Sequence, residues 1–551
     1  MNKQRKKIII IGGVAGGMSF ATRYRRLNQD DHIIVFEKGP YVSFANCGLP
    51  YHISGEISTR SGLLVVREQL LKERFRLDIR SSAEVISIDS EHKTLTYVKD
   101  GETLEESYDE LILSTGAKPI QLNINGHSSL PMFTLRNIPD LDKIMAHIKD
   151  TQPKHATVIG GGYIGLEVAE NLQMKGIQVT LIEKAEEVLP IVDPEMSVFI
   201  KKELEAKGVQ VFTNNEIAEI KDHIVHLITG ESFETDFVMM SVGVLPDTAL
   251  AQMAGIKTGL RSGIVVDDTY QTSQPNIYAV GDAILVKHHI TNQETLIPLA
   301  SPANRQGRQL ADILSGLSVT NKGSLGTSIV KVFDLSLAAT GLNEKQLQGQ
   351  NYEVIHLQAN DHASYYPNAT PIYLKVIYDP KTELILGAHA VGKKGVDKRI
   401  DIFATCIKAH VKVTYLQELE FTYAPPFGSA KDIVNMAGYV AFNKQHGITK
   451  TATYQQALQW MHDDSVLFVD VRSFFEKEAQ GYIQGSLNVD LDQLPQLYTS
   501  IPIDKRIIVY CDNGIRGYNA EQFLRNKGYD VYNLDGGYLY LSNMIKEQKN
   551  V

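Results

Sequence analysis

Cysteine is scarce in this sequence: Cys47, Cys406 and Cys511 are the only three among 551 residues. So few cannot form a disulfide framework, and they fit a reducing compartment where a thiol is kept for chemistry or packing. Excess positive charge is missing too, the formal net charge being -9. Nothing global therefore suggests a nucleic-acid partner, and an anionic ligand needs a local basic patch. No apolar stretch is long enough to span a bilayer, which excludes a transmembrane helix. The basic Met1 to Lys7 followed by the apolar Ile8 to Met18 looks at first like a short secretion signal. Gly12, Gly13, Gly16 and Gly17 argue against it, because they form a nucleotide-binding turn directly after a buried strand. The expectation is a cytoplasmic protein with neither membrane nor nucleic-acid contacts and no metal site.

The remaining composition, 43% hydrophobic and 22% charged, is that of an ordinary globular protein. At this length one core does not suffice, and three or four domains are expected. Lys7-Ile8-Ile9-Ile10-Ile11 is continuously apolar and β-branched, the signature of a buried parallel strand. The glycine turn and an amphipathic helix to about Leu27 follow, and a second apolar strand, His32 to Phe36, ends at Glu37. The same pattern returns at Ala156 to Ile159, with Gly160-x-Gly162-x-x-Gly165, a helix to about Lys175, and a strand from Gln178 that ends at Glu183.

Each unit is a βαβ dinucleotide fold. Its glycines let backbone N–H groups and a helix N-terminus approach a pyrophosphate, and its acid suits a ribose diol. Glu183 would repel a 2′-phosphate, favouring NADH while leaving NADPH possible. At the first site Val14 stands at the middle glycine position, and Gly12, Gly16 and Gly17 supply the turn. Gly281-Asp282, at the end of a strand, places a carboxylate suited to the ribityl or phosphate region of a flavin.

With the turn Ser114-Thr115-Gly116-Ala117, these features resemble the two-dinucleotide-binding-domain flavoprotein reductases of the glutathione-reductase-like superfamily. That resemblance implies FAD on the first domain, a nicotinamide on the second and a C-terminal dimerisation domain. The cofactor contacts it points to are Gly12, Gly13, Ala15, Gly16, Gly17, Glu37, Lys38, Thr115, Gly116, Gly281 and Asp282 in the first domain. In the second they are Gly160, Gly162, Tyr163, Ile164, Gly165 and Glu183, and Gly243 is a further cofactor contact.

The segment Ser43-Phe44-Ala45-Asn46-Cys47-Gly48-Leu49-Pro50-Tyr51 holds one cysteine, without the partner four residues away that dithiol reductases carry. A lone redox thiol must work through a mixed disulfide, a persulfide or a sulfenate. The segment closely resembles that of coenzyme A disulfide reductases. The alternative is an NADH oxidase or peroxidase cycling through a sulfenate, but those relatives usually carry histidine in the first glycine turn, where this chain has Ala15. His362-Ala363-Ser364-Tyr365-Tyr366-Pro367 and Phe421-Thr422-Tyr423-Ala424-Pro425-Pro426 resemble segments that, in the coenzyme A enzymes, carry two tyrosines to the partner's cysteine across a homodimer. That points to Tyr365 and Tyr423, with Tyr366 as the alternative to Tyr365. Coenzyme A is polyanionic, so Arg23, Arg67 and Lys72 are candidates for its phosphates, and Ser43 and Asn46 for its pantetheine arm.

Toward the C-terminus, Val469-Asp470-Val471-Arg472, Gly481 to Asn488, Cys511-Asp512-Asn513-Gly514-Ile515-Arg516 and Asp535-Gly536-Gly537-Tyr538 together resemble a rhodanese domain, although Tyr482 stands where histidine is common. Four residues separate Cys511 from Arg516, giving a smaller cradle than a phosphatase loop and one suited to sulfur. Inward N–H groups there would favour the thiolate and a persulfide. Cys406, in an apolar helical stretch, is assigned to packing.

The fold class expected is α/β, with two Rossmann-like dinucleotide-binding domains, an α+β dimerisation domain and a C-terminal α/β rhodanese domain. The boundaries expected are 1–115 with 240–322 for FAD, 116–239 for NAD(P)H, 323–443 for dimerisation, 444–450 as linker and 451–551 for rhodanese. The activity this implies is reduction of coenzyme A disulfide, coenzyme A persulfide or polysulfide, with small sulfane-sulfur donors feeding the rhodanese. A third reading is a sulfur-transfer or redox-sensing protein whose flavin is secondary.

Overall fold

The structure, a computed structural model, describes residues 5–126 and 130–548. It divides into two compact units, residues 1–186 with 205–326, and residues 187–204 with 327–551.

In the first unit the fully buried run Ile8, Ile9 and Ile10 forms the centre of a parallel sheet. Its strand order is 277–279, 110–113, 7–11, 32–37, 78–81. Parallel strands are covered on both faces, which is why the run is apolar without alternation. A second parallel sheet repeats the plan with the order 210–212, 178–182, 155–159, 237–240, 132–133. The two halves are stitched by the antiparallel strands Ala117–Pro119 and Val244–Pro246. The helices Ala15–Leu27 and Ala300–Leu314 cross at backbone contact, since a Cβ on Gly307 would lie 2.1 Å from the Gly16 carbonyl oxygen.

In the second unit an antiparallel sheet has the order 328–332, 335–341, 385–392, 371–378, 353–360, and a parallel sheet the order 451–452, 531–534, 506–510, 466–470, 487–488. No helix among the described residues is long and apolar enough to cross a membrane.

The expected fold class is the one found, and one segment groups differently from the expected bounds. Residues 187–204, expected within the NAD(P)H domain, belong to the second unit. The cause is a buried ionic network. The Lys375 ammonium, fully buried, bonds Asp193 at 2.8 Å and also bonds Glu195 and Glu344. These three carboxylates lie close enough together to hold a metal ion, and the Lys375 ammonium bonds all three. His356 bonds Glu195 at 3.0 Å through one ring nitrogen and Asp535 at 2.6 Å through the other. Tyr454 donates to Glu195 at 3.2 Å. Burial would lower the His356 pKa, but Asp535 and Glu195 outweigh it and hold it up at about 9. Burial holds the neighbouring His389 down to about 4.

The expected linker, 444–450, lies between the helix Ile433–Gln445 and the strand Thr451–Ala452 and is tied down along its length. The helix Ile433–Gln445 runs into it. Beyond the helix, Thr449 and Lys450 bond Glu521, and the Ile448 carbonyl accepts from Gln522 at 2.7 Å and from Arg525 at 2.6 Å. Ile448, Thr449 and Lys450 thus bond the C-terminal domain directly.

Candidate active site

The first glycine turn requires glycine at its head. Gly12 has φ +107°, and a Cβ there would lie 2.1 Å from the Ser114 carbonyl oxygen. Gly160 repeats this at φ +100°, 2.5 Å from the Ser241 carbonyl oxygen. Gly17 and Gly165 pack one helical turn on, against the carbonyls of Gly12 and Gly160. Gly162 has open space around its Cβ position. Tyr163, Ile164 and Gly165 open the helix Tyr163–Met174, whose N-terminus therefore starts at the turn.

Both strand-end acids are oriented by their own turns. Glu37 accepts from the N–H of Gly13 at 2.9 Å and of Gly39 at 2.8 Å. Burial pushes its pKa up against those two donors. Glu183 accepts from Gly161 at 2.6 Å and Ala185 at 2.7 Å. Each carboxylate keeps lone pairs for a diol.

A cavity of about 700 Å³ runs past Gly12, Ala15, Glu37, Lys38, Thr115, Gly116, Asn46, Cys47 and Asp282. Thr115 donates to the Asp247 carbonyl at 2.5 Å, and Lys38 reaches the Asp247 carboxylate at 3.3 Å. Gly281, at φ +85°, is fixed by Gln306, which accepts its N–H at 2.7 Å. Gly243, at φ +101°, accepts from the Ile120 N–H at 3.0 Å. The glycine cradle, the oriented acid and the length of the cavity fit an extended dinucleotide such as FAD.

Cys47 is exposed, lines this cavity and is the middle residue of the turn Asn46–Gly48 before the helix Leu49–Ser54. The segment is pinned at both ends. Ser43, at φ +51°, donates its N–H to the Gly13 carbonyl at 2.8 Å. Farther along, Tyr51 donates to Glu167 at 3.3 Å and Ser54 bonds Asn171 at 2.6 Å. The thiol is thus held between the two nucleotide domains. Partial desolvation pushes its pKa up, Glu167 pushes the same way, and Arg136 opposes them. Glu167 itself is raised to about 7 by desolvation, against the Tyr51 hydrogen bond and with Glu170.

Arg136 and Glu167 were not expected from the sequence. Arg136 lines the cavity, pairs with Asp282 at 3.0 Å and accepts from Asn46 through its carbonyl at 3.0 Å. Neither residue sits in a motif, so only tertiary packing reveals them.

Of the five residues considered for coenzyme A, only Asn46 lines the cavity with Cys47. Arg23 lies across from Asp312 and pairs with it at 2.7 Å. Lys72 pairs with Glu68 at 2.5 Å one helical turn back. Arg67 is exposed at the start of the same helix, and Ser43 acts through its backbone.

In the second unit Tyr365 and Tyr423 come together, their hydroxyls 2.9 Å apart, and both are largely exposed. Their segments are joined by the Ala363 N–H bonding the Pro425 carbonyl at 3.3 Å. The hydrogen bond to Tyr423 raises the Tyr365 pKa. Tyr366 instead lies edge-on to His362. Cys406 is buried on the helix Val396–Lys408.

Cys511 directly follows the strand Arg506–Tyr510, and its sulfur accepts from the Gly517 N–H at 3.4 Å. The Ile515 N–H donates to the Asn513 side-chain oxygen at 3.3 Å. Gly537 packs against the Cys511 and Asp512 carbonyls, and the Tyr538 N–H donates to the Cys511 carbonyl at 2.8 Å.

Comparison with known proteins gives three family matches: pyridine nucleotide-disulphide oxidoreductase over residues 6–307, its dimerisation domain over 327–433, and a rhodanese-like domain over 453–543. A coenzyme A disulfide reductase of Staphylococcus haemolyticus is 39% identical over 439 residues, 79% of this chain and 99% of the relative. The crystal structure of reduced Bacillus anthracis CoADR-RHD is 47% identical, with TM-score 0.97 over 99% of both chains. An NAD-dependent persulfide reductase from A. fulgidus is 32% identical, with TM-score 0.92 over 97% of this chain and 99% of its own. A water-forming NADH oxidase from Lactobacillus brevis is more distant, 26% identical with TM-score 0.76 over 80% of this chain and 99% of its own.

Proposed function

Because this chain belongs to the pyridine nucleotide-disulphide oxidoreductases and adds a rhodanese-like domain, we propose that it is an NAD(P)H-dependent flavoprotein reductase of coenzyme A disulfide and coenzyme A persulfide. The observation that carries this reading is that Cys47 alone of the three cysteines lines the cavity. FAD, when bound, supplies two-electron chemistry between reduced nicotinamide and Cys47. Glu37 and the Gly12 turn would hold the flavin nucleotide, and Glu183 and the Gly160 turn the NADH.

With coenzyme A disulfide, the Cys47 thiolate attacks one sulfur, forms a mixed disulfide and expels one coenzyme A thiolate. Two electrons then regenerate the Cys47 thiolate and release the second. With coenzyme A persulfide, Cys47 takes the outer sulfur, expels coenzyme A, and two electrons release that sulfur as sulfide. Tyr365 and Tyr423 of the partner subunit hydrogen-bond or protonate the departing sulfur in a homodimer. Their shared hydrogen bond and their exposure support this role. Cys511 holds sulfane sulfur taken from small donors and passes it to coenzyme A. The relatives named as reductases, more similar than the oxidase, favour this over peroxide chemistry.

Cys47→Ser should keep bound FAD, read from its visible spectrum, and lose disulfide and persulfide reduction by roughly a thousandfold, because a serine hydroxyl stays protonated. Cys511→Ser should spare reduction of preformed coenzyme A persulfide and slow sulfide release from polysulfide with catalytic coenzyme A. Substantial turnover by the Cys47 variant removes it from the mechanism. Equal loss in both Cys511 assays moves that residue to the flavin site or to the fold.

A further inference from the structure

The cations around the sulfur-carrying loop are already paired. Arg516, which closes the loop, meets Glu476 through both terminal nitrogens, at 2.7 and 2.9 Å, and Asp512 at 3.4 Å. Arg472, fully buried, bonds Asp512 at 2.9 Å and Asp470 at 2.7 Å. Three carboxylates against two guanidiniums leave one net negative charge beside Cys511. Glu476 stays ionised at working pH, held down at about 2 chiefly by Arg516. It is also fixed in place, since its carboxylate accepts from the Ser473 N–H at 3.0 Å and hydroxyl at 2.8 Å. Beside this bridge in sequence stand exposed apolar side chains, Phe474, Phe475 and Ile515.

We infer that Glu476 sets the donor specificity of the rhodanese loop, favouring an organic persulfide over thiosulfate; this rests on the reading of Cys511 as a sulfur carrier. With an organic persulfide, the Cys511 thiolate attacks the outer sulfur, the donor S–S bond breaks, and the donor thiolate leaves with the electron pair. Cys511 keeps the sulfur as a persulfide and no outside oxidant is needed. With thiosulfate the leaving group is sulfite. That dianion would depart past Glu476 and Asp512 with no unpaired guanidinium to receive it, whereas the carbon tail of an organic donor meets the apolar side chains.

The test uses the full-length holoenzyme in a Cys47→Ser background, so that sulfur loads at one redox site. Loading of Cys511 is followed by intact mass, with thiosulfate or benzyl persulfide, whose carbon tail is apolar and uncharged, as donor. The persulfide should load at least about tenfold faster, and Glu476→Gln should raise the thiosulfate rate about tenfold while leaving the persulfide rate within about twofold, the effect of one unit charge near the surface. Asp512→Asn provides the same comparison if the helix cap at Ser473 needs the Glu476 carboxylate. Faster loading from thiosulfate in the parent, or an unchanged ratio in both variants, overturns the inference. Loading that persists from both donors after Cys511→Ser overturns the carrier reading itself, and this inference with it.

Discussion

Glu37 and Glu183 do the same work twice. Each ends the second strand of a βαβ unit and accepts the N–H of its own glycine turn, so a ribose would meet a carboxylate whose orientation is already fixed. A 2′-phosphate at Glu183 would face a charge that cannot turn away. Glu183→Ala should therefore shift the ratio of kcat/KM values toward NADPH by roughly tenfold, the scale of one near-surface charge; a native preference for NADPH would show that the acid plays another part. Both acids were legible because a strand end after a glycine turn is a position as well as a residue type. Arg136 and Glu167 were not. Arg136 precedes a helix capped by Asn137, and Glu167 lies on a helix face that becomes part of the site only when the helix Leu49–Ser54 packs on it. Nothing local distinguishes either from a solvated charge.

At the scale of elements, the nucleotide folds were readable from buried β-branched runs, but the crossing of the helices Ala15–Leu27 and Ala300–Leu314 was not. Gly307 looks like an ordinary weak point in a helix until the Gly16 carbonyl is placed against it. Gly307→Ala should cost about 2–3 kcal/mol through overpacking. It should also loosen FAD retention, because the displaced helix begins at the cofactor turn; denaturant midpoints and the flavin content of the purified variant report the two effects. The grouping of 187–204 with the second unit was hidden for a related reason. Asp193 and Glu195 have the look of surface acids, and their partners His356 and Lys375 lie more than 150 residues away in sequence.

For the whole molecule, the tyrosine pair defines the sharpest test of assembly. If Tyr365 and Tyr423 serve the partner's cysteine, mixing Cys47→Ser subunits with Tyr423→Phe subunits pairs an intact cysteine with intact tyrosines at one of two sites in each heterodimer. Statistical exchange should then restore about a quarter of the parental activity. Folded but inactive mixtures would show that each subunit works alone.

The ionic network around His356 also bears on how this chain can change over generations. Asp535 and Tyr454 come from the rhodanese domain, His356 and Lys375 from the dimerisation domain, and Glu195 from the segment 187–204. Removing a charged member strips one buried counter-charge from its partners, at roughly 3–5 kcal/mol. A descendant that lost the rhodanese-like domain would lose Asp535 and Tyr454 together and leave His356 with one of its two carboxylates, so positions 195 and 356 should differ in relatives that end before that domain.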